Sequence, residues 1–244
     1  MKIIDVNMAI GGRDSYGNIV TAEDVLAQMA LYRIDHAVCY HEHAMLDPKS
    51  GNAKMKAIAE QSSGKIGVSA VMDPMLGADN LPGEGTLTER LKDFRPESLH
   101  IFPDNVRTVF SAFYWDEIFA AANELQLPII VDDDYPQDFF ARLPEVAAQY
   151  PKAKFVLVRY GLCRGRHVMM LLQKCKNVCF TVENMLDNDQ IEEIMERVGV
   201  KKLLFGTSWP RMSPSGTLGL AFYADIPSTE RRKILYQNWE AMTV

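Results

Sequence analysis

At 244 residues, 48% apolar and with a mean hydropathy of −0.11, the chain has the length of one α/β barrel rather than two average domains, so one domain over residues 1–244 is expected. A net charge of −6 and a pI near 5.4 offer no basic field for a phosphate backbone, which sets nucleic acid aside as a partner. Cys39, Cys163, Cys175 and Cys179 form no C-x-x-C pair, the N-terminal run is too short for a signal sequence, and no apolar run approaches a membrane span; a cytoplasmic protein with buried thiols and no membrane contact is expected.

The elements alternate from the start. Lys2 to Asn7 reads as a strand, Gly11-Gly12 closes it, and Thr21-Ala22-Glu23-Asp24 opens a helix with a capping residue and early acids. Ala37 to Tyr40 precedes a helix near Ala53 to Glu60; Ile66 to Val71 precedes one near Thr88 to Phe94; Leu99 to Phe102 precedes Trp115 to Leu125. Ile129 to Val131, entered through Pro128, precedes Gln137 to Gln149, and Phe155 to Val158 precedes Val168 to Cys175. Val178 to Val182 leads to Ile191 to Val198, and Leu203 to Phe205 to Leu218 to Ala224, with a further helix at Arg231 to Asn238. Eight short apolar runs alternating with eight helices predict a (β/α)₈ TIM barrel with an extra C-terminal helix.

Active sites of this fold sit at the C-terminal ends of the strands. Those ends carry Asn7 and Ala9, His41 and His43, Asp73, His100 and Phe102, Asp132 and Asp134, Arg159, Glu183 and Ser208, a mostly ionisable ring. Period-two alternation sets Asn7 with Ala9, and His41 with His43, on one face of their strands, each pair expected to point into the mouth.

The segment Leu203-Leu204-Phe205-Gly206-Thr207-Ser208-Trp209-Pro210, with the later Ile234-Leu235-Tyr236-Gln237-Asn238, resembles the closing part of the amidohydrolase superfamily, where the last strand presents an aspartate. Ile4-Asp5-Val6-Asn7-Met8-Ala9 resembles that superfamily's opening "iDxHxH", and Phe155-Val156-Leu157-Val158-Arg159-Tyr160-Gly161 its sixth strand "fvlaHxG". The resemblance implies a divalent-metal site whose ligands fall at Asn7, Ala9, near Asp132, at Arg159 and at Ser208. None of these is the expected ligand, and an arginine on a ligand strand would set a positive charge against the ion. His41-Glu42-His43-Ala44, Asp47-Pro48, Gly51-Asn52, Ile101-Phe102-Pro103 and Phe113-Tyr114-Trp115 resemble a branch of the superfamily whose related lactonases hydrolyse cyclic esters without metal.

Asp132, His41, His43 and Ser208 are the catalytic candidates, with Asn7, Arg159, Arg164, Arg166, Glu183 and His100 as substrate-binding ones. Asp132 ends its strand and suits a general base, whereas Asp133 and Asp134 read equally as a solvated loop. Arg159, Arg164 and Arg166 form a fork for a carboxylate or phosphate, or pair with the acidic ring. Ser208 lacks the G-x-S-x-G setting of a nucleophile elbow, so positioning substrate or water suits it better than covalent attack. His36 falls at the barrel's foot and His167 on a helix, both structural.

Three functions stay open: a hydrolase of a small anionic substrate, lactone or amide, without cofactor; a metalloenzyme, hydrolytic or decarboxylating, with zinc or another divalent ion displaced to His41, His43 and a carboxylate such as Asp73, Asp132 or Glu183; and a non-catalytic barrel that binds a small molecule. A homo-oligomer is open too.

Overall fold

Each of the eight apolar runs is buried on both faces, and the computed structural model, which describes residues 1–132, 135, 138–160 and 164–243, assembles them into one parallel sheet in sequence order. The strands are β1 Ile4–Ile10, β2 His36–His41, β3 Ile66–Met72, β4 Ser98–Ile101, β5 Pro128–Asp132, β6 Lys154–Val158, β7 Val178–Thr181 and β8 Leu203–Leu204. Between and after them lie α1 Ala22–Tyr32, α2 Pro48–Gln61, α3 Leu87–Phe94, α4 Ala112–Leu125, α5 Phe139–Gln149, α6 Gly165–Lys174, α7 Gln190–Val198 and α8 Pro214–Tyr223. Cys163, Asp133, Asp134, Gln137 and Gly161 lie outside the described residues; Cys39, Cys175 and Cys179 are free and buried.

The sheet returns on itself through the main chain. Val6 N–H donates to Phe205 O at 3.0 Å, Ser208 N–H to Asn7 O at 2.9 Å, and Ala9 N–H to Trp209 O at 2.8 Å, so the first strand and the segment after β8 share a ladder. Alternation sorts the side chains into two cores. Ile4, Val6, Val38, Ile130, Val156, Val158, Cys179 and Leu204 fill the lumen, while Cys39, Leu99, Ile101, Val131, Phe155 and Phe180 pack outward beneath the helices.

Several helices begin earlier than periodicity alone predicts, because polar caps rather than apolar residues fix their first turns. The carboxylate of Asp47 accepts Ser50 N–H at 3.2 Å and Pro48 takes the first helical position, so α2 starts ahead of Ala53. Thr21 with Asp24 and Thr86 with Glu89 form reciprocal capping boxes at α1 and α3. At the C-terminus, α9 Ser228–Arg232 runs through a π-helical turn, Lys233–Gln237, into α10 Asn238–Thr243. Asn238 Nδ2 donates to Val200 O at 2.7 Å and Leu203 O at 2.8 Å, which fastens this segment across the foot of β8 and seats Trp239, 2% exposed, against the lumen cluster. Among the described residues no helix is long and apolar enough to cross a membrane.

Trp239→Ala should therefore open a void under the lumen; a loss of about 3–5 kcal/mol is expected from denaturant unfolding. A loss below about 1 kcal/mol would mean that the indole is not a barrel plug.

Candidate active site

The lumen parity decides which strand-end residues meet. On β4 and β5, His100 and Asp132 follow the inward residues Ser98 and Ile130, and both are buried to within 3%. Arg159 follows β6 with a left-handed backbone, φ 50°, which departs from the strand path. Its guanidinium clasps Asp132 on two sides: Nε donates to Oδ2 at 3.1 Å, and Nη2 donates closely to Oδ1. Burial alone would push the Asp132 carboxyl up; His100 and the Arg159 guanidinium outweigh it and hold Asp132 below its ordinary range.

A polar chain runs from the lumen to this pair. Ser98 Oγ donates to Ser69 Oγ at 2.8 Å, which leaves the Ser69 proton free for His100 Nδ1 at 3.5 Å. That assignment turns His100 Nε2–H toward Asp132 Oδ2, 3.8 Å away, an electrostatic contact rather than a hydrogen bond. Burial pushes the His100 pKa down, more than Asp132 restores, so the imidazole is neutral at pH 7. One face of the ring stacks on Phe102, centroids 4.5 Å apart and planes 10° apart, and Tyr40 packs against it at 4.5 Å. With Ala9, Ala44 and Val71, Tyr40 and Phe102 make an apolar wall on one side of the mouth.

The opposite side is acidic and closed. Ser208 also has a left-handed backbone, φ 56°, and lies between two partners: its Oγ donates to Glu183 Oε1 at 3.3 Å and accepts from Asn7 Nδ2 at 3.0 Å. Glu183 Oε1 also accepts Arg159 N–H at 2.9 Å. Beneath them Asp5 Oδ1 accepts Asn7 N–H and Thr207 N–H, each at 3.0 Å. Burial pushes both carboxyls, Asp5 and Glu183, up to about 7 despite these hydrogen bonds. Asn7 Oδ1, Asp5 Oδ2, Glu183 Oε2 and His100 Nε2 are buried without a hydrogen-bond partner among the described residues, a demand that water or a substrate group can meet.

The structure thus brings Asn7, His100, Asp132, Arg159, Glu183 and Ser208 together and leaves His41, His43, Asp73, Arg164 and Arg166 apart. His41 does not reach the mouth: Tyr40 takes the inward position on β2, and a shift of one residue turns a strand side chain to the other face. Instead the His41 ring lies against Gly11, lines a crevice of about 450 Å³ beside Val20, Leu26 and Ile58, and caps a 3₁₀ turn, Glu42–Met45, by accepting His43 N–H at 3.1 Å. His43 rides on that turn, 6.3 Å from His41 between ring centroids, and among the described residues no third His, Cys, Asp or Glu joins them as a metal donor. Asp73 caps its own turn by accepting Met75 N–H at 2.8 Å. Of the expected arginine fork, Arg164 donates to Tyr135 O at 3.3 Å and sits 5.2 Å over the Phe140 ring, while Arg166 is exposed on α6.

Arg211 is the guanidinium that strand-end reading misses, because it follows the cis Trp209-Pro210 bond in the loop beyond β8. It stands 3.6 Å from Glu42 Oε1, and its charge opposes the burial that pushes the Tyr40 pKa up and adds to the burial that pushes the His100 pKa down. Tyr40 and Asp5 are further omissions; lumen parity finds Tyr40, two residues after the inward Val38, but not Asp5, which lies between the lumen residues Ile4 and Val6.

The positions the superfamily uses for metal do not form a donor set. Ala9 offers a methyl group, Arg159 brings a cation into contact with the one strong anionic ligand, and Ser208 and Asn7 bond each other. Among the described residues no three His, Cys, Asp or Glu side chains could hold a metal ion together.

Residues 100–242 match the amidohydrolase family, and the chain belongs to it. No curated protein sequence matches the chain. Among solved structures it is similar to 2,6-dihydroxybenzoate decarboxylase from Rhizobium, with 12% identity, a TM-score of 0.75, and 100% of this chain and 98% of that one covered. It is also similar to the manganese-bound 5-carboxyvanillate decarboxylase of Novosphingobium aromaticivorans, at 11% identity, TM-score 0.76, and 99% and 96% coverage. A dihydroxybenzoic acid decarboxylase of a Polaromonas species, with manganese and 2-nitroresorcinol bound, follows at 13%, 0.72, and 99% and 96%. At these identities the likeness is one of fold.

Glu183→Gln tests the acidic side. A carboxyl whose folded pKa lies above its unfolded value costs stability progressively as pH rises from 4.5 to about 7, and the full cost remains above that. At about 1.4 kcal/mol per pKa unit, the substitution should stabilise the protein by about 3 kcal/mol at pH 8 and by almost nothing at pH 4.5, read from thermal melts at both pH values. Equal effects at the two pH values would contradict a buried acid at this position.

Proposed function

We propose that this amidohydrolase-family barrel hydrolyses a small, ring-bearing carboxylate of the lactone type without a metal, using fixed guanidinium groups and a buried carboxylic acid. The observation that carries the reading is the clasp of Arg159 on Asp132 amid Asn7, Ala9 and Ser208, a cation supplied by the chain at the place where the family's metal belongs.

Asp132, held ionised by its partners, is a weak base. Glu183 is the better one, because a carboxyl pushed up to about 7 both ionises and accepts protons near neutral pH. Ser208, between Glu183 and Asn7, orients the attacking water. The flat ring of the substrate lies along Tyr40 and Phe102, its carboxylate on Arg211, and the ring carbonyl takes the hydrogen bond that the buried His100 Nε2–H lacks among the described residues. Water oxygen bonds to the carbonyl carbon as its proton passes to Glu183. Collapse of the adduct breaks the ring C–O bond, and the leaving oxygen takes that proton back, giving the hydroxy acid.

A second reading, decarboxylation of an aromatic acid, draws on the aromatic wall of Tyr40, His100 and Phe102, with protonated Glu183 as proton donor to the ring carbon. Product analysis separates the two: hydrolysis releases acid and no carbon dioxide.

The test is a turnover screen of carboxylated lactones and hydroxybenzoates on chelator-treated protein. Hydrolysis that survives the chelator is expected, with kcat/KM rising through an apparent pKa near 7 and kcat falling about 10²- to 10⁴-fold in Glu183→Gln. Arg211→Met should raise KM roughly ten- to a hundredfold, the equivalent of one charge-assisted bond, while Arg166→Met changes nothing. Activity lost to chelator and restored by zinc or manganese, with the metal lost again in His41→Ala, would give the site to a displaced metal instead. Ligand-induced stabilisation without turnover of any compound would leave a binding barrel.

A further inference from the structure

The barrel's other end carries a feature that the mouth does not use. Five lysines gather where three strands begin: Lys154 opens β6, Lys176 precedes β7, Lys201 and Lys202 precede β8, and Lys233 comes from the π-helical turn of the C-terminal segment. They border a cavity of about 560 Å³ whose floor includes Cys179, Ala241 and Met242. That volume falls in the range of small-molecule sites.

Two of the lysines are occupied. Lys202 Nζ donates to Leu172 O at 2.5 Å and Cys175 O at 2.6 Å, and Lys233 Nζ pairs with Glu230 at 2.5 Å. Lys154, Lys176 and Lys201 have no ion-pair partner among the described residues. In a chain of net charge −6 acids are abundant, yet among the described residues only Glu230 pairs with this group. Converging ammonium groups repel one another, and each is a mobile point charge suited to a phosphate rather than to one fixed carboxylate.

We propose that this cavity binds a small organic phosphate, its phosphoryl group on Lys154, Lys176 and Lys201 and its apolar body against Ala241 and Met242. The site lies on the far side of the lumen from the mouth and is independent of the reaction there. Its ligand bridges the starts of β6, β7 and β8 to the C-terminal segment, and so stabilises the folded chain in proportion to its concentration.

Isothermal titration with octyl phosphate and with inorganic phosphate tests this on the full chain. Octyl phosphate is expected to bind one to one and at least about tenfold tighter than inorganic phosphate, since several buried methylene groups add to the charge contact. The double variant Lys154→Gln/Lys201→Gln should lose at least about tenfold in affinity, and Met242→Glu, which sets a negative charge in the floor, at least as much. Lys49→Gln, on the distant α2, and Arg211→Met, at the mouth, should bind as the parent does. Thermal melts identify any variant that fails to fold, and the remaining one then decides. No binding by the parent, equal affinity for both phosphates, or a loss shared by Lys49→Gln or Arg211→Met would overturn the site. Co-sedimentation with phosphatidic acid vesicles in the absence of octyl phosphate binding would assign the lysines to a membrane surface and overturn it as well.

Discussion

One buried carboxylate joins the first strand to the last. Asp5 Oδ1 accepts main-chain hydrogens from Asn7 and from Thr207, two residues about two hundred positions apart, at the seam where the sheet closes. Without that acceptor, two buried N–H groups would lack partners at the irregularity in β1, and the turn that carries Ser208 would lose its hold on Asn7. The position of Ser208 between Glu183 and Asn7 follows from this seam. The cost is borne in ionisation, since Asp5 and Glu183 sit together in the same dry layer and are both pushed up.

The mouth divides into unlike halves because the strands do. Near the ends of β2 to β4, Tyr40, Val71 and Phe102 make a dry wall, while Asp132 on β5, Arg159 after β6 and Glu183 after β7 bring charge. His100 belongs to both: its ring is part of the aromatic stack, and its nitrogens connect the serines of the lumen to Asp132. A neutral imidazole suits that position, since a charged one would face two guanidinium groups that already act on it.

The architecture was legible in the sequence because each strand is a short apolar run and each helix has its own period and cap. The inward ring was only partly legible. His100, Asp132 and Glu183 lie where strand ends predict, but spacing pairs His41 with His43, whereas its relation to Tyr40 and the lumen decides its direction. Proximity in sequence groups Arg159, Arg164 and Arg166, and the fold separates them: Arg159 turns inward through a left-handed residue, Arg164 and Arg166 leave with α6, and Arg211 arrives from another loop. The pairing of Arg159 with Asp132 joins residues from two adjacent strands and is the ion-pair alternative that a linear reading leaves open beside an anionic ligand.

That neutralisation constrains how such a mouth could be remade one residue at a time. Arg159→His alone strips Asp132 of its clasp and strands a buried anion, a change worth about 3–5 kcal/mol. Ala9→His alone forces an imidazole into the wall formed by Tyr40, Val71 and Phe102, which is already filled. Ser208→Asp alone adds a third carboxyl beside Asp5 and Glu183 with no cation between them. Each single step toward the family's metal-ligand set is uphill on its own, so the internal ion pair makes any such change a concerted one on several strands.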